Sequence, residues 1–442
     1  MEHINSWMKY LFIICLLSCN LFTVFSQPEE PVLRLKLMLL DDRFEDLLLV
    51  TDTIEVADSL MDQVYYFRGQ AYQSLLNYDS AYHYYHMANQ VDSSNLSFRI
   101  AIGTMLYRLG RISESIEIYE AIVAEFQPLD QHLAELANLY SIRKKYDKSL
   151  AIYKGLLEKD SLNYYYAKQA GKNFLDMNQS DSAIYFYEYA FSLNQKDVFL
   201  AHRLGNLYLL KKDLPKAINR VSTGLLYDST NLDLLKLRGY LYLHFELTEP
   251  AIVDLQKAWL QDSLSVFTNK YLGISYYEDK QYDQARIVLM EAFRLDSTDA
   301  ETAFFLGNAC RGSRYEEDGV RYYRKAIELN KPDPKTMKNI YIQLAELFKV
   351  LHRFEETFEA YDMALEYDPG DNTIYFKIAQ SYDRNLNQKK TAIEYYEKYL
   401  SGGSTDHQLF NAEEGTVTAL EKHARERINR LKEDLFFEKQ LP

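Results

Sequence analysis

A glycine that returns every 34 residues constrains this chain more than any other feature. Gly69, Gly103, Ala137, Gly171, Gly205, Gly239, Gly273 and Gly307 hold that spacing without an insertion. Three residues after each stand Tyr72, Leu106, Tyr140, Phe174, Tyr208, Tyr242, Tyr276 and Cys310. Twelve after each stand Ala81, Ser115, Ser149, Ala183, Ala217, Ala251, Ala285 and Gly319, and seven further on Ala88, Ile122, Leu156, Ala190, Gly224, Ala258, Ala292 and Ala326. Within one period, residues 266–299, small or apolar residues fall three and four apart: Leu272, Gly273 and Tyr276, then Ala285, Leu289 and Ala292. That spacing predicts two amphipathic helices joined by a turn at Asp279-Lys280-Gln281. Gly and Ala mark where helix axes approach to roughly 8–10 Å. One such hairpin has an apolar face and nothing to bury it against, so neighbouring periods must supply the core.

A helix-turn-helix unit of this length, with these co-phased positions, resembles the tetratricopeptide-repeat family over residues 62–400. Two departures stand out. The family's tryptophan is missing, with Tyr65, Leu133, Leu235 or Tyr341 near its place, and the closing proline occurs only as Pro369. The resemblance implies an all-α fold, a right-handed α-α superhelix of about ten to eleven helix-turn-helix repeats, built by neighbour-to-neighbour contact. It also implies that the first helix of each repeat lines a concave groove that takes extended or helical peptides.

The repeats begin at residues 62, 96, 130, 164, 198, 232, 266 and 300. After four extra residues around Lys331-Pro332-Asp333-Pro334 the phase resumes with Ala345, Phe348, Thr357, Tyr361 and Ala364, then Ala379, Tyr382, Ala392 and Tyr396. Residues 27–61 read as a degenerate capping repeat (Leu35, Met38, a turn at Asp41-Asp42-Arg43, then Phe44, Leu47 and Leu48), residues 62–405 as the solenoid, and residues 406–442 as a C-terminal capping helix. The segment 311–338 is the expected weak point, because Gly312 and Gly319 lower helix propensity and prolines remove backbone donors.

Residues 1–26 read as a secretory signal: an apolar stretch interrupted by Ser18 and Asn20, then Val24-Phe25-Ser26 before Gln27. Leu16-Leu17-Ser18-Cys19 resembles a bacterial lipobox and supplies the alternative, a lipidated Cys19. The cut resembles those of exported Bacteroidota proteins. An exported, periplasmic or envelope-associated protein is expected, with no transmembrane segment after signal removal. Cys310 is then the one thiol left, so no internal disulfide forms, and it reads as a small buried hydrophobe.

A net charge of −14 without a basic stripe argues against nucleic acid. The chain contains no GxxxxGK[ST], GxSxG, HExxH or paired CxxC motif, so neither enzyme chemistry nor a cofactor is expected. His83 and His86 lie one helical turn apart with no further ligand at metal spacing, and read as a surface pair. Asp160-Ser161, Asp262-Ser263 and Asp296-Ser297 resemble O-glycosylation acceptors of exported Bacteroidota proteins, but short polar residues also have a capping role in such turns.

Function therefore falls to surfaces, and to a protein or peptide partner. The resemblance places Lys168, His202, Lys236 and Lys270 at one groove position in four successive repeats, three residues before the glycine. Tyr165, Phe199 and Phe267 lie a turn earlier, so aromatic and basic side chains alternate, which favours an acidic extended segment. Asp176, Asp233 and Glu278 share the groove as counter-charges. The family's clamp for a C-terminal carboxylate begins with His202 and Asn206, but Leu237, Phe267 and Tyr271 replace its other polar residues, so that clamp is absent. The alternative class is an outer-membrane lipoprotein, anchored through Cys19, that binds glycan or an envelope complex.

Overall fold

The turn inside each repeat explains why these sequences stop one helix and start the next. Leu76, Lys144, Asn178, Lys212, Glu246, Lys280 and Arg314 all have φ between 59 and 63°, with Gly110 at 75° in the same series. Around Leu76 the N–H of Asn77 reaches back to Tyr72 O at 2.9 Å and that of Leu76 to Gln73 O at 3.0 Å. This pairing of a left-handed residue with two reversed bonds satisfies the last carbonyls of the first helix. Asp42 has φ 54° and the N–H of Arg43 bonds Met38 O at 2.9 Å, so the degenerate first repeat turns in the same way.

Between repeats the chain turns on short polar side chains. Asn95, Asn163, Asp197, Asn231, Ser265, Asp299 and Asp333 each cap a first helix by accepting from a backbone N–H inside it. Just before them, Asp160 accepts from Leu162 N at 3.2 Å and Asp296 from Thr298 N at 3.0 Å. The recurring aspartates thus have a local structural role.

The computed structural model describes residues 30–126, 129–329, 333–401 and 415–438. The expected signal sequence, Cys15, Cys19, Lys331, Pro332 and the glycines at 402 and 403 lie outside the described residues. Among the described residues there is no strand, and the helices fall into eleven consecutive pairs followed by Gly415–Glu438. The chain divides into two units, residues 1–195 and 196–442. The first unit runs from the pair Glu30–Leu40 and Phe44–Thr51 to the pair Tyr164–Asp176 and Ser180–Leu193. The second begins with Val198–Leu210 and Leu214–Tyr227 and ends with the C-terminal helix.

Inside each pair the recurrent glycine meets a bulky residue sixteen positions later. A Cβ on Gly69 would lie 2.5 Å from the Tyr85 ring, and one on Gly171 2.6 Å from the Tyr187 ring. Val221, Leu255 and Leu289 fill the same place opposite Gly205, Gly239 and Gly273. The tyrosines Tyr85, Tyr153, Tyr187, Tyr323, Tyr361 and Tyr396 are among the largest fully buried side chains. Their hydroxyls find partners: Tyr85 donates to Gln73 Oε1 at 2.7 Å, Tyr323 to Asn308 Oδ1 at 2.6 Å and Tyr361 to Glu346 Oε1 at 2.8 Å. Each ring contributes a large apolar area while its polar tip stays bonded.

The C-terminal helix is held on the last pair. Ala424, Ile428 and Leu431 pack with Phe376, Tyr396 and Tyr399. Arg427 donates to both carboxylate oxygens of Asp383, at 2.6 and 2.8 Å.

Within segment 311–338 both glycines have a packing role. A Cβ on Gly312 would lie 2.4 Å from the Tyr282 ring and one on Gly319 2.8 Å from Leu347 Cδ1. Both are places of close approach, and nearby the buried Lys338 ammonium bonds Asp368 at 2.8 Å and Asp371 at 3.1 Å. The division between units falls outside this segment, at Gln195 and Lys196.

Candidate partner-binding surface

The eight expected site residues divide between the units. Tyr165 and Lys168 lie on Tyr164–Asp176 in the first; Phe199, His202, Asn206, Lys236, Phe267 and Lys270 lie on three first helices of the second. Tyr165, Phe199 and Phe267 are exposed to 39%, 46% and 39%, high values for aromatic rings in a packed array. Phe267 does not stand alone. It meets Tyr271 at 4.6 Å and Tyr240 at 5.9 Å between centroids, and Tyr240 meets His244 at 4.3 Å.

The basic residues are arranged differently from the expectation. Lys236 Nζ lies 3.3 Å from Asp262 Oδ2, and Lys270 Nζ lies 2.6 Å from Asp299 Oδ2 and 2.7 Å from Glu301 Oε2. The counter-charges come from the turns between repeats and the start of the next first helix, in place of the expected Asp176, Asp233 and Glu278. Both lysine side chains are largely buried, so these pairs are less screened by salt than surface pairs. His202 is half-buried; burial pushes its imidazole down, with Asp233 opposing. Asn206 donates through Nδ2 to the His202 carbonyl at 3.0 Å, so its side chain is engaged within its own helix.

Tyr240, Tyr271 and Phe305 were not among the expected site residues. Tyr271 and Phe305 are one period apart, and that repetition is the signal that could have found them. Cys310 is buried, and burial, with the Asp318 charge, pushes its thiol up to about 12, which makes it a poor nucleophile at neutral pH. Among the described residues no group of three or more His, Cys, Asp or Glu is placed to hold a metal ion. His83 and His86 point into solvent. No described helix is long and apolar enough to cross a membrane.

Paired helices at a fixed period, exposed aromatics on the first helix of a pair and buried tyrosines on the second define a helical-repeat scaffold. Residues 373–401 match the family model described as tetratricopeptide repeat. That match covers one helix pair, Thr373–Arg384 and Lys389–Ser401, within an array of equivalent pairs. The chain is 24% identical over 159 residues to the BBSome complex member BBS4 of Bos taurus, which covers 36% of this chain and 30% of that protein. The chain thus spans less than a third of that relative's length. Among solved structures it is similar to the C-terminal part of a TPR repeat-containing protein from Cytophaga hutchinsonii, at 18% identity and TM-score 0.43, over 54% of this chain and 97% of that one. It is also similar to a tetratricopeptide repeat protein from Parabacteroides merdae, at 16% identity and TM-score 0.39, over 67% and 98%. Likenesses this distant say nothing about what the chain binds.

Proposed function

We propose that the chain is an exported, non-catalytic scaffold that binds a protein or peptide segment against its first helices. The observation that carries this reading is the exposure of Phe199 and Phe267, at the same register position two periods apart in the second unit. Rings in that state favour an interface, where aromatic residues are enriched and contribute most of the affinity. Tyr165 occupies the equivalent register in the first unit. An acidic segment can reach Lys236 or Lys270 only by displacing Asp262, or Asp299 and Glu301, so apolar contact is the larger contribution. Export is supported by the sequence of residues 1–26.

The test uses the mature chain as bait in envelope extracts, in parallel with Phe199→Ser/Phe267→Ser. Proteins retained by wild type and lost from the variant support the reading. An identical set of captured proteins on both baits contradicts it. Intact mass of chain isolated from its host separates the export routes: a start at Gln27 supports a released protein, and an acylated Cys19 the membrane-tethered alternative.

A further inference from the structure

Within the second unit, the first helices Leu232–His244, Val266–Glu278 and Ala300–Gly312 line a cavity of about 580 Å³. That lies inside the roughly 300–1,000 Å³ usual for ligand sites. Its apolar walls are largely aromatic: Tyr240 meets Tyr271 edge to face at 4.7 Å between centroids, and Phe305 lines the same cavity with Leu243 and Ile274. Its polar lining has three carboxylates, Glu246, Glu278 and Glu301, beside His244 and Thr248. Glu301 shares the Lys270 ammonium with Asp299, so one cation serves two carboxylates there. Among the described residues Glu246 and Glu278 take no ion pair. Burial pushes the Glu278 carboxyl up, and the charge of Glu246 pushes it further. Two like charges beside aromatic faces, neither paired with a lysine or arginine among the described residues, repel one another.

A cation entering the cavity relieves that repulsion and meets the negative faces of the rings. A guanidinium suits the place better than an ammonium, because it is planar, weakly hydrated, stacks on aromatic faces and bonds carboxylates through several N–H groups. We propose that this cavity receives an arginine side chain of the bound partner, held by Glu246 and Glu278 against Tyr240 and Tyr271. This rests on the scaffold reading and gives the partner a chemistry: a basic anchor, opposite in charge to the segment that the lysine row suggests.

The test is calorimetric titration of the full chain with three capped pentapeptides, alanines flanking a central arginine, citrulline or glutamate. Citrulline keeps the shape of arginine without its charge. The arginine probe is expected to bind at least about tenfold tighter than either of the others, and to weaken as salt rises from about 50 to about 500 mM. Glu246→Gln/Glu278→Gln is expected to weaken it by about tenfold and Tyr271→Leu by several-fold, with unchanged circular dichroism. Because both glutamates reach solvent, the glutamine pair leaves the fold intact. Equal binding of arginine and citrulline probes, no binding of the arginine probe, or full affinity in the glutamine variant overturns the assignment. A captured partner that needs Phe199 and Phe267 but is indifferent to the glutamine pair overturns this pocket alone and leaves the scaffold reading standing.

Discussion

Arg238 and Asp254 offer the sharpest energetic test of how two neighbouring helices of the second unit are tied. Arg238 lies on Leu232–His244 and donates through Nε to Asp254 Oδ2 at 2.6 Å and through Nη2 to Oδ1 at 2.9 Å. A third bond runs from Nη1 to Ser222 Oγ at 3.2 Å. Asp254, on Thr248–Gln261, is only 2% exposed, so its carboxylate has little access to water. Arg238→Met keeps most of the apolar stem and removes every donor. Leaving a buried charge without its partner costs about 3–5 kcal/mol, against about 0–1 kcal/mol for breaking an exposed pair. Because the guanidinium itself is partly exposed, water enters on its removal, and the lower end, about 3 kcal/mol, is expected. The companion variant Arg238→Met/Asp254→Leu removes both charges and should return to within about 1 kcal/mol of wild type, since a buried pair and an apolar replacement often balance. Repeat arrays open locally, so the assay is hydrogen exchange of the two helices in increasing urea, more informative than one global midpoint. A single variant costing under about 1 kcal/mol, or a double variant less stable than the single, would refute the reasoning.

Leu76→Gly should stabilise the first unit by about 0.5–1 kcal/mol, because a left-handed non-glycine residue costs about 1–2 kcal/mol and glycine's extra unfolded freedom returns part of it; Leu76 is exposed, so little packing is lost, and urea midpoints read the sign. The Glu346 carboxyl is pushed up by burial but pulled further down by Lys377 and Lys349, to about 2. Its folded value is below the unfolded one, so its stabilisation is present above about pH 4.5 and is lost as pH falls towards 2. Lys377→Met should lower stability at pH 7 and flatten that acid decline, as measured by urea midpoints across pH. Arg427→Met leaves the buried Asp383 without its guanidinium and should release Gly415–Glu438, seen as rapid trypsin trimming of a helix that resists in wild type.

The repeat itself was legible because its small residues must recur wherever helices touch, and the Schellman-type turns keep the register through the degenerate first pair. The buried tyrosine series was harder to see: Tyr85, Tyr119, Tyr153 and Tyr187 give way to Val221, Leu255 and Leu289 before Tyr323 restores it. Any residue large enough to cover the glycine serves there, so the volume repeats and the identity does not. Gly312 and Gly319 were ambiguous for a related reason. A glycine admits a close neighbour and weakens a helix by the same lack of a side chain, and only the placement of Tyr282 and Leu347 decides which matters. The lysine row was correctly placed on first helices, but its charge balance was hidden. Asp299 caps a helix and also binds Lys270, and a capping role gives no hint of the second. Glu246 and Glu278 become neighbours only once adjacent repeats are packed, so their shared cavity has no signature in either repeat alone.

Site-specific photocross-linking tests the central claim, that the first helices carry the partner. Phe199 and Phe267 are replaced singly by p-benzoylphenylalanine, which keeps an aromatic ring in place, and Leu226 and Leu260, still more exposed on second helices, serve as the other pair. Irradiated in envelope extracts, the chain should join the same partner from positions 199 and 267 and not from 226 or 260. Cross-links confined to 226 and 260 would contradict the account and move the binding surface to the opposite helices.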